Sequence, residues 1–335
     1  MTLPGGAYAK TLSAGRDVEH RIENSRMDIH QEAVEEYEPP KRDQDTPIER
    51  PLSASTVFLD AFDLLHNLRG IGWSWSQNPF PREKTAGRTS PPSISLLLAR
   101  TLFELTVCDA SHYIIQSVCP SVNNPKGGSI FDASLTPVPR VALAVFCGAC
   151  GGVWAYTLLN SLYRISMLIG RTVFRQPASA WPHFFQQPWL ATSIRDVWSF
   201  RWHQLFRHLF IVWGARPGGA LFGKPGALVG AFAASAILHH IALWGMGNGT
   251  EFVTAGGFFL LMGIGAVMEV VFTRSTGLRV QGWIGWLWTM LWAALWGPFM
   301  FDGWARHGAF ATEFFPKGFR PGKVVVDAIV TLSSE

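Results

Sequence analysis

The strongest constraint on this chain of 335 residues is a set of long apolar stretches. About 20 helical residues cross a hydrocarbon layer of about 30 Å, and a segment in lipid must satisfy its backbone hydrogen bonds internally. Five stretches have this length, at about residues 94–118, 141–163, 226–246, 253–273 and 282–302. The chain is therefore predicted to be an all-α, polytopic membrane helical bundle of about five spans, with additional re-entrant or interfacial helices and the lipid membrane as its surroundings.

The charged residues lie mainly outside these stretches. Charged residues make up 16% of the chain and hydrophobic ones 48%, and residues 1–93 contain 14 acidic and 11 basic side chains. A charge-rich, Pro-rich segment cannot bury enough apolar surface to fold. The predicted organisation is a disordered acidic head at 1–55, an amphipathic helix and polar loop at 56–93, a membrane domain at 94–310 and a C-terminal tail at 311–335.

Arginines in the loops predict how the spans are oriented. The segment 170–208 contains five arginines and one acidic residue, Asp196, whereas 247–252 has no basic residue. By the positive-inside rule, 170–208 and 274–281 face the cytosol and 247–252 faces the lumen. The N-terminus has no apolar leader, so internal spans are expected to direct insertion. A multi-pass protein, most simply of the endoplasmic reticulum, follows.

Two apolar segments depart from a simple span. The stretch 94–118 contains charged residues, of which Arg100 and Glu104 are four apart and can pair on one helix face. The piece from Leu209 to Phe222 is short and broken by Pro and Gly, which indicates a re-entrant or interfacial segment rather than a span.

A polar and aromatic block at residues 193–207 is the first candidate for chemistry. Two sets of its side chains recur at helical spacing, Arg195 with Trp198 and Trp202, and Arg201 with Gln204 and Arg207. Arginines near a membrane surface suit a polyphosphate ligand, because a guanidinium forks onto phosphate oxygens. An interfacial helix anchored by Trp and Arg explains the same pattern. Spacing alone leaves both interpretations open.

The second candidate is His239, which follows Ser235 by one helical turn inside the stretch 226–246. A histidine within a membrane helix is costly unless it has a partner or a function. Neutral imidazole is a common general base, yet a histidine that only bonds a neighbouring helix fits equally well. Glu269, in another stretch, could be that partner.

The remaining polar motifs favour packing. Cys147 and Cys150 have the spacing of a metal or redox pair but lie in an apolar run without a second pair of ligands. No metal site is therefore predicted. Nucleic-acid binding finds no support either, because the basic residues are loop arginines beside the spans rather than one basic face.

Four ordered blocks of the chain resemble the wax synthase-like branch of the membrane-bound O-acyltransferases. The strongest, residues 189–204, is similar to the family run Ser-Leu-Arg-Asp-Phe-Trp-Gly-Arg-Arg-Trp-His-Gln. The other blocks are Arg69 to Trp73, Ser235 to His239, and Phe258 to Trp304. The resemblance covers roughly residues 60–310. Two departures are Ser199-Phe200, where the family has Gly-Arg, and His240, where an acidic residue often follows the histidine.

The resemblance implies an acyl-CoA-dependent O-acyltransferase in which 94–310 is the acyltransferase domain. His239 would be the general base, while His203 and Gln204 would polarise the thioester carbonyl or hold the acceptor. Acyl-CoA would be a co-substrate, with no bound cofactor. The residues that would meet it are Arg195, Arg201, Arg207, Trp198 and Trp202.

The resemblance is closest to fungal members that acetylate terpenoid or meroterpenoid hydroxyls. It therefore implies acetyl-CoA as donor and a lipophilic secondary-metabolite alcohol as acceptor, and it leaves the oligomeric state open. Tryptophans at 283, 286, 288, 292 and 296 would crowd a long-chain tunnel, unless they face lipid. Two alternatives stay open: a wax synthase that uses long-chain acyl-CoA and fatty alcohols, and a non-catalytic polytopic protein.

Overall fold

The computed structural model describes residues 53–66, 92–249, 251–313, 315–316 and 318–334. Most of the predicted head and polar loop, and with them the block Arg69 to Trp73, lie outside these residues. The long helices from Ile94 onward all belong to one compact unit.

The described residues are helical, without a β-strand among them, which confirms the predicted all-α class. The α-helices are α1 (Ala54–His66), α2 (Ile94–Val118), α3 (Pro137–Thr172), α4 (Ile194–Asp196), α5 (Arg207–Phe210), α6 (Arg216–Gly245), α7 (Phe252–Ala255), α8 (Gly257–Thr276), α9 (Gly282–Arg306) and α10 (Pro321–Ser334). Two π-helical turns, Val197–Arg201 and Ile211–Ala215, and short 3₁₀ turns connect them.

Four helical segments of the described chain are long and apolar enough to cross a membrane. They are Pro137–Thr172, Arg207–Gly245, Phe252–Thr276 and Gly282–Arg306. These segments contain four of the five predicted spans. The fifth predicted span corresponds to α2, which has 25 residues but is not apolar enough to be counted with these four segments. The reason is that α2 carries the charged residues Arg100, Glu104 and Asp109 within its apolar stretch.

The charges of α2 are paired with neighbouring elements. Arg164 of α3 forms an ion pair with Glu104, its Nε 3.0 Å from Oε2, and Asn160 donates to Oε1 of the same carboxylate at 2.8 Å. The carboxylate of Glu104 is therefore turned toward α3, where Arg164 is its ion-pair partner, and Arg100 adds a weaker attraction from its own helix. Asp109, 2% exposed, pairs with Arg320 and accepts the amide N–H of Gly322 at 2.8 Å, so it holds the start of α10.

The helices form two packed groups. In the first, α2 and α3 run antiparallel with α9 across them, around a core that includes Ile115, Cys147, Trp154, Phe301 and Phe310. Cys147 is 1% exposed in that core, as the packing interpretation of the cysteines predicted. In the second group, α8 lies between α6 and α9. Its members are antiparallel: Glu269 contacts Trp288, while the backbone at Gly303 approaches Thr254.

The segment between α3 and α4 folds back along α3. Phe184 stacks on Tyr163 with ring centroids 4.7 Å apart, and Phe185 lies 4.6 Å from Tyr156. Tyr156 is about 24 Å along the helix from Thr172, at 1.5 Å per residue. Much of the segment predicted as a cytosolic loop therefore packs against a span, and it delivers residue 193 to the second group of helices.

Candidate active site

A buried carboxylate anchors the start of the polar and aromatic block. Glu269 of α8, 5% exposed, accepts the backbone N–H of Ile194 at 2.6 Å and that of Arg195 at 3.2 Å. The indole N–H of Trp288 donates to the same carboxylate at 3.0 Å. An anion is favourable at exposed N–H groups of a helix start. Glu269 thus caps α4, and the suggestion that it partners His239 is wrong.

The block continues as a tight turn closed by Gln204. Its amide nitrogen donates to the carbonyls of Trp198 at 3.1 Å and Trp202 at 2.8 Å, and the side chain is 7% exposed. The π-turn between these carbonyls displaces the side chains from regular helical spacing, and such turns recur at functional sites. Gln204 therefore shapes the turn that presents His203.

A helical hairpin places this turn at the depth of His239. The chain reverses at Phe222-Gly223, where Gly223 has φ +65°, a value that favours glycine. A methyl group added at Gly214 would overlap the carbonyl of Gly230, and one added at Gly218 would overlap that of Gly226. The two arms of the hairpin are therefore antiparallel and in contact. The pairing of residue 214 with 230 and of 218 with 226, continued along the first arm, places Arg207 opposite residue 237. The piece 209–222, predicted as re-entrant, is the first arm of this hairpin rather than part of one long span.

The hydrogen bond of His239 selects one tautomer. Nδ1 donates to the carbonyl oxygen of Ser235 at 2.8 Å. A carbonyl oxygen only accepts, so a neutral ring that makes this bond carries its proton on Nδ1 and leaves Nε2 with a lone pair. The ring also stacks on Phe259 with centroids 4.0 Å apart. His239 is thus fixed in orientation, with a basic nitrogen beside an aromatic surface.

A series of rings connects His239 to His203. Phe259 meets Trp198 at 6.0 Å, Trp198 meets Trp202 at 5.7 Å, and Trp202 meets His203 at 5.8 Å between centroids. The structure therefore brings both histidines and both tryptophans of the predicted site into one aromatic cluster. This cluster lies between the block, α6 and α8.

The other side of His203 is also aromatic. Its ring stacks on Phe184 at 5.6 Å and meets Phe185 edge-on at 5.9 Å. The two histidines thus occupy different surroundings, His239 on a membrane helix and His203 among the rings of the folded-back segment.

The three predicted phosphate-binding arginines differ in exposure and in their bonding partners. Arg195 is exposed. Arg201 is bonded to Asp196 at 2.7 Å and to the carbonyl of Gln186 at 3.2 Å, which ties the block to the preceding segment. Arg207 is half-buried and donates to the carbonyl of Ser199 at 3.3 Å. Arg195 is therefore the exposed guanidinium of the three, whereas Arg201 and Arg207 also bond the backbone around the block.

The tryptophans of α9 divide between outside and inside. Trp283 is 74% exposed, whereas Trp286 is 42% exposed and donates its indole N–H to the carbonyl oxygen of Trp189 at 2.8 Å. Trp288, Trp292 and Trp296 pack against the cluster around Ile194 and Phe259. Three of the five tryptophans therefore line the packed interior of the second group, and Trp283 and Trp286 lie outside it.

Sequence reasoning missed the phenylalanines that complete the cluster. Phe232 and Phe258 meet Trp198, each with centroids 6.1 Å apart. Phe258 and Phe259 are adjacent in the sequence, and a helical alignment with His239 across α6 and α8 could have identified them.

A separate cavity of about 810 Å³ lies between α2 and α10, lined by Tyr113, Arg320 and Lys323 among others, and contains no predicted site residue.

Comparison with known proteins finds a family match over the part of the chain that contains the polar and aromatic block and His239. Residues 181–261 match the model of the membrane bound O-acyl transferase family, a range that includes both histidines. The O-Mevalon transferase yanI of Aspergillus niger is 24% identical over 156 residues, 44% of this chain and 34% of the relative. The O-Mevalon transferase macI of Penicillium terrestre is 26% identical over 160 residues, 47% of this chain and 35% of the relative.

A third relative is matched over more of its length. The Acetyltransferase eriL of Hericium erinaceus is 25% identical over 263 residues, 74% of this chain and 66% of the relative. The chain spans about a third of the length of the first two relatives. No solved structure matches the chain. The predicted resemblance to the membrane-bound O-acyltransferases is therefore confirmed, and residues 181–261 are the part of the chain that carries the match to this family.

Proposed function

We propose that this chain transfers an acyl group from acyl-CoA to the hydroxyl of a lipophilic alcohol, with His239 as general base. The observation that carries the proposal is the orientation of His239 within the family-matching segment: Nδ1 is held by Ser235, and Nε2 keeps its lone pair. A positioned base of this kind contributes about 10²–10⁴-fold to a rate.

The chemical steps follow from that nitrogen. Nε2 takes the proton of the acceptor hydroxyl. At the same time the oxygen of that hydroxyl attacks the carbonyl carbon of the acyl-CoA thioester. The tetrahedral intermediate collapses, the C–S bond breaks, and the CoA thiolate leaves. The imidazolium of His239 returns the proton to the thiolate. The products are the ester and CoA, and His239 is again neutral.

The aromatic cluster suits the acceptor and the acyl carbonyl. Trp198 and Phe259 offer flat apolar surfaces to a rigid lipophilic alcohol. His203 holds the acceptor or polarises the thioester carbonyl, while Gln204 acts through the turn it closes. Arg195, the exposed arginine of the block, contacts CoA phosphate. The chemistry requires no metal or prosthetic group, and the chain resides in the endoplasmic reticulum membrane.

An acetyl donor and a secondary-metabolite acceptor are the favoured substrates. One relative is named an acetyltransferase and two are named O-Mevalon transferases, all three from fungi. The inward tryptophans Trp288, Trp292 and Trp296 restrict the space beside the cluster, which favours a short acyl group. The alternative is a wax synthase with a long-chain donor, and the rival from another class is a non-catalytic membrane protein.

Microsomes that contain the full chain test the proposal with labelled acetyl-CoA or palmitoyl-CoA and a panel of terpenoid and fatty alcohols. The expected product is an acetyl ester of a terpenoid alcohol that His239→Ala microsomes do not form. Faster esterification of fatty alcohols from palmitoyl-CoA would establish the wax synthase instead. Ester formation by wild type and His239→Ala at equal rates would reject His239 as base.

A further inference from the structure

Helix α1 is the amphipathic element that the proposed function does not use. It contacts the end of α3 and the segment that follows through Phe58, Phe62 and Asp63. Phe62 lies 4.1 Å from the ring of Phe174, and Gln176 donates to Asp63 at 3.4 Å. Phe174 follows the last residue of α3 by two positions, so α1 lies beside the end of a membrane-spanning helix.

An apolar stripe of α1, formed by Ala61, Leu64 and Leu65, lies outside this contact. At about 100° per residue, Ala61, Leu64 and Leu65 share the face opposite Asp63 and His66. Leu65 is 73% exposed and Leu64 is 42% exposed. A helix on a water-soluble protein turns its apolar face inward, whereas α1 packs Phe58 and Phe62 on Phe174 and leaves Ala61, Leu64 and Leu65 uncovered.

The surroundings of α1 indicate what covers this stripe. At the adjoining end of α3, Ile169 is 40% exposed and Val173 is 66% exposed, which continues the apolar surface that a span presents to lipid. Exposed Arg175 supplies a cation at the same level, where lipid headgroups attract positive charge. An apolar stripe flanked by charge at the end of a span matches the boundary between headgroups and acyl chains.

We propose that α1 is an interfacial helix that lies in the bilayer surface with Ala61, Leu64 and Leu65 inserted among the lipids. Helices of this kind lie in the membrane plane with the apolar face buried about 5–10 Å below the headgroup boundary. The occupant of the stripe is therefore the lipid in which the spans of the same chain reside. The helix anchors the segment before α2 to the membrane independently of any catalytic role.

Site-directed fluorescence tests this placement in the full chain. Leu65→Cys and, as matched control on the exposed flank of the same helix, Asp60→Cys are labelled with an environment-sensitive fluorophore. Each labelled protein is reconstituted in phosphatidylcholine vesicles and exposed either to a doxyl-labelled lipid quencher or to aqueous iodide. Wild type labelled in the same way gives the background signal of the native cysteines. The lipid quencher is expected to quench the Leu65 label at least threefold more than the Asp60 label, with iodide showing the reverse order.

Equal quenching of both labels by iodide would overturn the proposal, because the stripe would then face water. Protection of the Leu65 label from both quenchers would also overturn it and indicate that a second copy of the chain covers the stripe. Leu64→Cys, on the same face, replaces Leu65→Cys if the latter fails to elute as a folded species in detergent.

Discussion

His239 and Glu269 are two ionisable residues of the spans, and their partners give them different tasks. His239 directs Nδ1 to the carbonyl of Ser235, which lies one turn earlier on its own helix. Glu269 gives its carboxylate to three donors, two of them backbone N–H groups of the block. The first arrangement keeps a nitrogen available for chemistry, whereas the second uses the whole group to hold structure.

We expect His239→Ala to reduce acyl transfer to less than about a tenth of wild type, because general-base catalysis contributes about 10²–10⁴-fold. Membrane insertion and abundance should be unchanged. Initial rates with labelled acetyl-CoA measure the effect in microsomes with matched protein levels. His240→Ala, on the next residue of the same helix, is the control and should retain activity. A substantial rate in His239→Ala would reject the base assignment.

Glu269→Ala is expected to destabilise the fold as well as reduce activity. It would leave the N–H groups of Ile194 and Arg195 without their acceptor, and each unsatisfied buried donor costs about 1–3 kcal/mol. Glu269→Gln retains one acceptor oxygen and should lose less. In thermal unfolding in detergent, the midpoint temperature is expected to be highest for wild type, lower for Glu269→Gln and lowest for Glu269→Ala. An unchanged midpoint in Glu269→Ala would contradict the capping role.

The hairpin is the element that determines where the block meets His239. A segment measured from Arg207 to Gly245 has 39 residues and is apolar enough to span, yet it reverses direction at Gly223. Contact between its arms depends on glycines at 214, 218, 226 and 230. Small residues allow such close approach in membranes, where packing rather than the hydrophobic effect associates helices.

Gly214→Ala should separate the arms and lower both stability and activity. Its methyl group would overlap the backbone carbonyl of Gly230, which cannot move without shifting the helix, and overpacking of this kind costs about 1–3 kcal/mol or more. Gly245→Ala is the matched control on the same hairpin, because a methyl group there meets no atom within 4 Å. Thermal unfolding and acyl transfer are measured for both. Equal effects of the two substitutions would contradict the hairpin register.

Across the molecule, three distant parts of the chain meet at one end. Asn248 donates to the carbonyl of Pro125 at 3.2 Å and to that of His307 at 3.1 Å. The segment after α2, the loop after α6 and the end of α9 therefore share one side of the bundle. The positive-inside rule assigns this side to the lumen and the loop 277–281 to the cytosol.

Accessibility to a membrane-impermeant maleimide checks this orientation in sealed microsomes. Leu278→Cys, on a residue that is 63% exposed, should react without detergent. Glu251→Cys should react only after permeabilisation, because the positive-inside rule assigns the loop 247–252 to the lumen. Wild type provides the background of the four native cysteines. The opposite pattern would invert the predicted topology.

The sequence by itself determined the helical class, the positions of four spans, the amphipathic α1 and the block that carries the family match. These are local properties: the length of an apolar run, the periodicity of side chains along one helix, and the order of neighbouring residues. His239 and the Ser235 that holds it are one helical turn apart, so their proximity also follows from local geometry.

Only the tertiary structure decided which distant groups meet. Glu269 is 75 residues from Ile194, and its choice of backbone N–H groups over His239 depends on how α8 packs against the block. The division of the α9 tryptophans into exposed and inward sets, and the position of Arg207 along the hairpin, depend likewise on helix contacts. A sequence pattern records which residues share a face of one helix, but packing between helices decides what that face touches.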